Sequence, residues 1–190
     1  HQDVSSMRML PEMSIIDLSS NDVAVNAIDY ILENKKPCYI RLDKGPFPNW
    51  GQIESDFTKG FRIIRALSDI NLISNGFMVR EVINVADQLN KRGINVGIVD
   101  VFRFKPFPED LIIDVIAPSK KIISIEESCK TGGLGTALSE LIAQNDIYCS
   151  LKVIGAPDMQ FIEYGEREWF HDKYGLSGMP LVEKICNFLH

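Results

Sequence analysis

Arg41 is the residue in this sequence whose type and position ask most directly for chemistry. It stands near the carboxyl end of the run CYIRL (38–42), whose other members suit a buried strand. Ligands of open α/β sheets collect beyond the carboxyl ends of strands. A guanidinium at such a place has two readings of about equal weight. It pairs with a nearby Asp or Glu, or it clamps a phosphate or carboxylate, whose oxygens match its planar fork of donors.

Other candidates are weaker. The stretch TGGLGTALSE places Gly132, Gly133 and Gly135 between a strand ending in Glu126 and Glu127 and a following helix. Free N–H groups at a helix start can cradle phosphate. The spacing, however, fits neither the dinucleotide fingerprint nor the P-loop, and the preceding IEES is acidic. The stretch therefore reads as a tight turn with close helix-on-strand packing that only glycine permits. Glu126 and Glu127 are neighbours on a strand, so they point to opposite faces and form no acid–base pair by themselves; one of them is expected at solvent or at an interface. EYGEREWFHDKYG (163–175) mixes Tyr164, Trp169, Phe170 and Tyr174 with charges. It reads first as a loop packed on the protein's own edge and second as a subunit contact. His171 is of the type that changes charge near neutral pH, but the sequence offers no partner that would make it catalytic.

Three histidines, two of them the terminal His1 and His190, argue against a histidine-rich metal centre or a Ser-His-Asp triad. Cys38, Cys129, Cys149 and Cys186 lack C-x-x-C spacing and read as reduced, mostly structural thiols. No metal site is expected.

The elements that must position these residues follow from periodicity. MSIIDL reads as a strand, NDVAVNAIDYILENK as a helix with Ala24, Ala27, Ile28, Ile31 and Leu32 on one face, and CYIRL as a second strand. Asn21 or Asp22 is expected to cap the helix start, and Pro37 ends it. Residues 14–42 thus form a strand–helix–strand unit, the building block of a parallel sheet. Pro46, Pro48, Gly45 and Gly51 then mark a linker. Beyond it, FRIIRAL and INLISNG suggest two adjacent short strands. A helix follows with Val79, Val82, Ile83, Ala86 and Leu89 on its inner face and Gly93 at its end. INVGIVDV, KKIISIEE and SLKVIGA are strands. PEDLIIDVIAPS, LGTALSELIAQN and MPLVEKICNFL are helices, the last with Pro180 near its start. This alternation predicts a mostly parallel sheet covered on both faces.

Composition sets the class. The chain has 190 residues, 45% of them hydrophobic and 24% charged, with a net charge of -6. It is therefore globular, and large enough for one domain or one domain plus part of another. The acidic balance argues against a nucleic-acid binder. No apolar run approaches the roughly 20 residues of a membrane helix, and no signal-peptide pattern opens the chain, so the expected location is cytoplasmic. The chain opens on His1 without methionine, and its first strand unit follows within a few residues with MRMLP hanging before it. That arrangement predicts an internal piece of a longer protein.

Taken in order, HQDVSSMRMLPEMSII, YIRLDKG, INLISNGFMVREVINVADQLNKRGINVGIVDVFRFKPF, IISIEE, GGLGTALSELI and YGL resemble the transketolase family of thiamine-diphosphate enzymes over essentially the whole chain. The likeness is nearest to the short C-terminal subunits of two-piece transketolases. The resemblance implies an α/β fold: a three-layer α/β/α C-terminal domain with a mostly parallel sheet over 60–190, preceded by the tail of a pyrimidine-binding α/β domain over 1–44, with 45–59 as linker. It implies that His1 contacts substrate oxygens near the thiazolium as a catalytic residue and that Arg41 binds the sugar phosphate. The catalytic glutamate, the ring pocket, and the residues for thiamine diphosphate and magnesium are expected upstream or in a separate N-terminal subunit. By this reading no cofactor-binding or metal-binding residue lies in this chain, and the chain alone is inactive. A homodimer is implied, as is an exposed sheet edge before residue 14 that a partner chain would cover. The implied reaction moves a two-carbon ketol unit from a ketose phosphate to an aldose phosphate. A 1-deoxyxylulose-5-phosphate synthase, a 2-oxo acid dehydrogenase beta subunit, or a non-catalytic dimerisation or regulatory domain are the alternatives.

Overall fold

The computed structural model describes residues 2–43, 48 and 56–189. His1 and most of the expected linker lie outside the described residues. Seven helices and eight strands follow one another among those described. They are α1 (Asp3–Arg8), β1 (Ser14–Asp17), α2 (Asn21–Asn34), β2 (Cys38–Arg41), β3 (Phe61–Arg65), β4 (Ile70–Ser74), α3 (Met78–Lys91) and β5 (Gly97–Val101). Then come β6 (Arg103–Lys105), α4 (Glu109–Ile116), β7 (Lys121–Cys129), α5 (Leu134–Gln144), β8 (Ser150–Ala156), α6 (Arg167–Tyr174) and α7 (Gly178–Leu189).

The strand order β3-β5-β4-β7-β8 makes a five-stranded sheet in which β5, β4, β7 and β8 run parallel and β3 is antiparallel. Its strands are apolar on both faces, as a sheet covered by crossover helices requires. Leu72, Ile98 and Ile123 face one core with α3 and α7, while Ile73, Val99 and Ile122 face the other with α4 and α5. Successive residues on a strand point to opposite sides, so each strand feeds both cores and the domain has three layers. On α3, Met78, Val82, Val85, Ala86 and Leu89 are fully buried against the sheet. Truncating one such Leu to Ala costs about 2–5 kcal/mol.

A second sheet has the order β2-β1-β6. β1 is parallel to β2, with Asp17 opposite Arg41. β6 adds antiparallel on the other side, from the stretch directly after β5. Between β5 and β6 the buried Phe102 stacks on Phe57, ring centroids 4.9 Å apart, and Phe57 meets Tyr30 of α2 at 5.0 Å. The two sheets thus share a small aromatic core.

Four expectations need correction. FRIIRAL and INLISNG do form strands, but β5 lies between them, because β3 pairs antiparallel with the strand that follows α3. The stretch expected to hang before residue 14 holds α1, whose Val4 is 1% exposed and whose Ser5 hydroxyl donates to the Thr131 carbonyl at 2.8 Å. The EYGEREWFHDKYG stretch contains α6, anchored by the buried Phe170 and His171. The cap residue of α2 is Ser20, in extended backbone; its hydroxyl donates to Asp22 at 2.5 Å, and neither Asn21 nor Asp22 holds the cap position. No helix among the described residues is long and apolar enough to cross a membrane.

Candidate functional site

The carboxyl ends of strands from both sheets meet at one place. β1 brings Asp17, β2 brings Arg41, β7 brings Glu127, and α6 lays Arg167 and His171 across the junction. Parallel pairing fixes the first two, since Asp17 and Arg41 are opposite each other in the register. Gly76, with φ of +54°, follows β4 where any side chain would overlap the Asp17 carboxyl; a left-handed backbone without a Cβ is what lets the loop close over that acid.

Arg41 is ion-paired. Its Nη2 donates to Glu127 Oε2 at 3.0 Å, Nη1 to Asp17 Oδ2 at 3.4 Å, and Nε lies 3.4 Å from Asp3 Oδ2. Of the two readings of this arginine, the acidic neighbours are observed, yet the guanidinium is not sealed. The side chain is 17% exposed and lines a cleft of about 280 Å³ with Glu127, Phe161, Glu163, Arg167 and Trp169. Two of its three contacts are at the long end for charge-assisted bonds.

Glu127 is the hub. It accepts from Arg41, from Arg167 Nε at 2.7 Å, and it meets His171 Nε2 at 2.9 Å. Arg167 also pairs with Asp43, and its guanidinium lies 4.0 Å from the centre of the Phe77 ring. Burial alone would push Glu127 upward, but the His171 bond and the Arg167 and Arg41 charges hold it down at about 2. Asp17 goes the other way. Burial drives it up to about 7 despite Arg41, while Asn75 Nδ2 donates to it at 2.8 Å. Burial opposes the charge of Arg41, but Asp17, Asp3 and Glu127 together raise its pKa, so it stays a cation.

Glu126, one residue away, points to the other side of the strand and does different work. Its oxygens accept from the N–H groups of Leu134 and Gly135, both at 2.9 Å, capping α5. A Cβ on Gly133 would overlap this carboxylate, and one on Gly135 would meet Val153 and Ser124. The close-packing reading of the glycine stretch is therefore observed. Burial, opposed by those two N–H bonds, lifts Glu126 to about 7. The expectation that one of this glutamate pair meets solvent or an interface is wrong for this fold: Glu126 is 0% and Glu127 4% exposed. Both are internal because each face of β7 is covered.

A second charged cluster lies between β3 and the loop after β1. Arg62 Nε donates to Asp100 at 2.9 Å and its Nη2 to Ser20 at 2.7 Å, Ser19 donates to Asp100 at 2.5 Å, and Arg62 also pairs with Asp22. Sequence reading missed it, because Arg62 looks like one more charge in a strand. It also missed the meeting of Arg41, Glu127, Arg167 and His171. The one available signal was His171 among aromatics.

These residues do not fit a diphosphate cofactor. The glycine-rich start of α5 is already filled by the Glu126 carboxylate, and no group of three His, Cys, Asp or Glu side chains among the described residues is arranged to hold a metal ion. All four cysteines are free thiols.

A family model described as "Transketolase, C-terminal domain" matches residues 60–178. The chain is 29% identical over 95% of its length to a protein of Clostridium sp. (strain MSTE9) described as 6-deoxy-6-sulfo-D-fructose transketolase subunit SqwH, of which it covers 56%. It is equally 29% identical, over 95% of its length, to a protein of Actinobacillus succinogenes described as a subunit of apulose-4-phosphate transketolase, covering 58%. The chain thus spans about half the length of these curated relatives. A solved structure titled "Split gene transketolase, inactive beta4 tetramer" superposes with a TM-score of 0.85 at 24% identity, over 98% of this chain and 60% of that one, which shows the shared fold.

Proposed function

The chain belongs to the transketolase C-terminal domain family, and from that premise we propose that it is part of a thiamine-diphosphate-dependent transketolase moving a two-carbon ketol unit between sugar phosphates. Thiamine diphosphate and its magnesium are held elsewhere in the assembly, on an N-terminal region or a separate subunit, and supply the carbanion chemistry. Two curated relatives described as transketolase subunits support the separate partner. In this reading residues 1–44 are the tail of the pyrimidine-binding domain, 45–59 the linker and 60–190 the C-terminal domain. The assembly is a cytoplasmic homodimer of such units, and this chain alone is inactive.

The observation that carries the reading is the Arg41 guanidinium, at the carboxyl end of β2 and open to a cleft. Glu127 holds one edge of it through the 3.0 Å bond. The longer Asp17 and Asp3 contacts are the ones a substrate phosphate exchanges for its own oxygens. Anchoring the phosphate in this way orients the reacting end of the sugar, which converts binding energy into positioning. His1, assigned from the resemblance alone, donates a hydrogen bond to a substrate oxygen at that reacting end.

The test is an assay of the full assembly with ketose and aldose phosphates against pyruvate. Ketol transfer with sugar phosphates, weakened in Arg41→Ala, is the expected result. Turnover of pyruvate in place of ketose phosphate would move the assignment to the synthase or 2-oxo acid dehydrogenase reaction. Saturable binding of thiamine diphosphate to the 190-residue chain alone, by calorimetry, would refute the placement of the cofactor site outside it.

A further inference from the structure

We propose that the groove along the outer edge of β8 is a binding site for a small phosphate-bearing molecule, gripped by Lys130, Lys152 and Lys184. The three lysines come from three elements: Lys130 follows β7, Lys152 is on β8 and Lys184 is on α7. With Gly155 and Asn187 they line a cleft of about 320 Å³, within the range of small-molecule sites. None of its lining residues lines the Arg41 cleft.

The charge pattern is what needs an explanation. The chain carries 26 acidic residues against 20 Lys and Arg, yet three lysines and no acid line this one cleft, whereas Lys120 pairs with Asp69 at 2.6 Å and Lys173 with Glu163. Among the described residues no carboxylate is ion-paired with Lys130, Lys152 or Lys184. The acid beneath the groove, Glu126, has its Cγ under Gly155 while its oxygens are turned to the α5 N–H groups. Lys184 is held in place by the Tyr174 carbonyl at 2.5 Å, and its pKa is lowered by burial and then by Lys130 and Lys152. The three exposed side chains line one cleft, and an anion entering it gains from all three charges.

Two further features suit a phosphate. Glycine at 155 lets the Lys130 stem lie against the strand, where an added Cβ would come within 3.1 Å of it. β8 pairs only with β7 among the described strands, so alternate backbone groups on its outer side lack a strand partner. Lysines bind phosphate as mobile point charges and do not demand one fixed geometry, which fits an open groove.

The experiment is a calorimetric titration of the protein with inorganic pyrophosphate at low salt, repeated with Lys130→Ala/Lys184→Ala, with Lys152→Arg and with Arg41→Ala. Expected is saturation with a dissociation constant below roughly 1 mM, weakened about tenfold in the double alanine variant and by added salt. Lys152→Arg should leave it unchanged, and Arg41→Ala should remove at most a separate isotherm belonging to the Arg41 cleft. Absence of saturation, full binding by the double variant, or loss of all binding in Arg41→Ala would overturn the proposal. Tighter binding of a poly-glutamate peptide than of pyrophosphate would also overturn it, in favour of an acidic protein partner. Thermal melts of the variants matching the parent establish that lost binding is not lost folding. Because this site shares no residue with the Arg41 cleft, its failure leaves the proposed function standing, and the reverse.

Discussion

Arg41 and Arg62 are both arginines wedged between aspartates at the boundary between the first sheet and the five-stranded domain, yet they are built to different ends. Arg62 is 2% exposed beside an Asp100 that is fully buried, and serine hydroxyls fill its remaining donor positions. Arg41 is 17% exposed, its contacts with Asp17 and Asp3 are long, and it borders a cleft. The same pairing chemistry therefore closes one junction and leaves the other able to exchange a protein carboxylate for a ligand anion. The acids differ as well. Burial lifts Asp100 to about 6 against the pull of Arg62, whereas Glu127, with two arginines and His171, stays near 2.

The largest effect should come from breaking the closed junction. Arg62→Ala leaves Asp100 buried without its cation, and losing one partner of a buried pair costs about 3–5 kcal/mol. Denaturant melts should show it, and a loss no larger than for an exposed pair such as Arg65–Asp87 would end the contrast.

Next is the acid limb of stability. Glu127 has its folded pKa below its ordinary value of 4.5, so its contribution is fully present above about pH 4.5 and is lost as pH falls toward 2. The shift corresponds to about 3 kcal/mol. Stability measured from pH 5 to 2 should fall in the parent and flatten in Glu127→Gln. Asp100 has the opposite sign: its contribution is present below about 3.8 and lost as pH rises through about 6. Asp17 and Glu126, lifted to about 7, decline over the same interval, so the share of Asp100 is the part of the decline that Asp100→Asn removes; an unchanged slope in that variant would end its assigned role.

Arg41→Ala should be milder in melts and harsher in catalysis. Removing a hydrogen bond to a charged group costs about 1.5–3 kcal/mol, or roughly 10- to 100-fold in kcat/KM of the assembled enzyme for a phosphorylated substrate. An unphosphorylated analogue should show little change. Equal losses with both substrates would make Arg41 a structural residue like Arg62.

The smallest expected effect is at the helix cap. Glu126→Gln keeps an acceptor for the α5 N–H groups and should cost about 1 kcal/mol, read as a shift of the thermal midpoint without change in kcat/KM. A change in activity would tie this side of β7 to the site on the other.

Much of the scaffold was legible in the residues alone. Apolar periodicity located α2, α3 and α5, and alternation with strands announced the parallel sheet. The glycine spacing around Leu134 read as packing, and Arg41 stood out by place. Elements whose identity rests on partners were not legible. α1 has six residues, too few for a periodic face. α6 mixes charges with aromatics and is held by the buried Phe170 and His171 together with the Arg167 ion pairs. β6 is a three-residue strand that exists because β1 offers it an edge.

On α2 the buried residues are Val23 and Ala27, while Ile28 and Leu32 of the face read from the sequence are exposed; what the sequence by itself determined is therefore local: which segments coil and which extend. These follow from side-chain period and backbone chemistry within about a dozen residues. Only the tertiary structure decided that Glu127 would face Arg41, 86 positions earlier, and His171, 44 positions later. It likewise decided that Arg62 would be sealed while Arg41 stayed open. Charge–charge energies depend on distance and burial, and strand order and helix packing set both, neither of which is written in the spacing of residues along the chain.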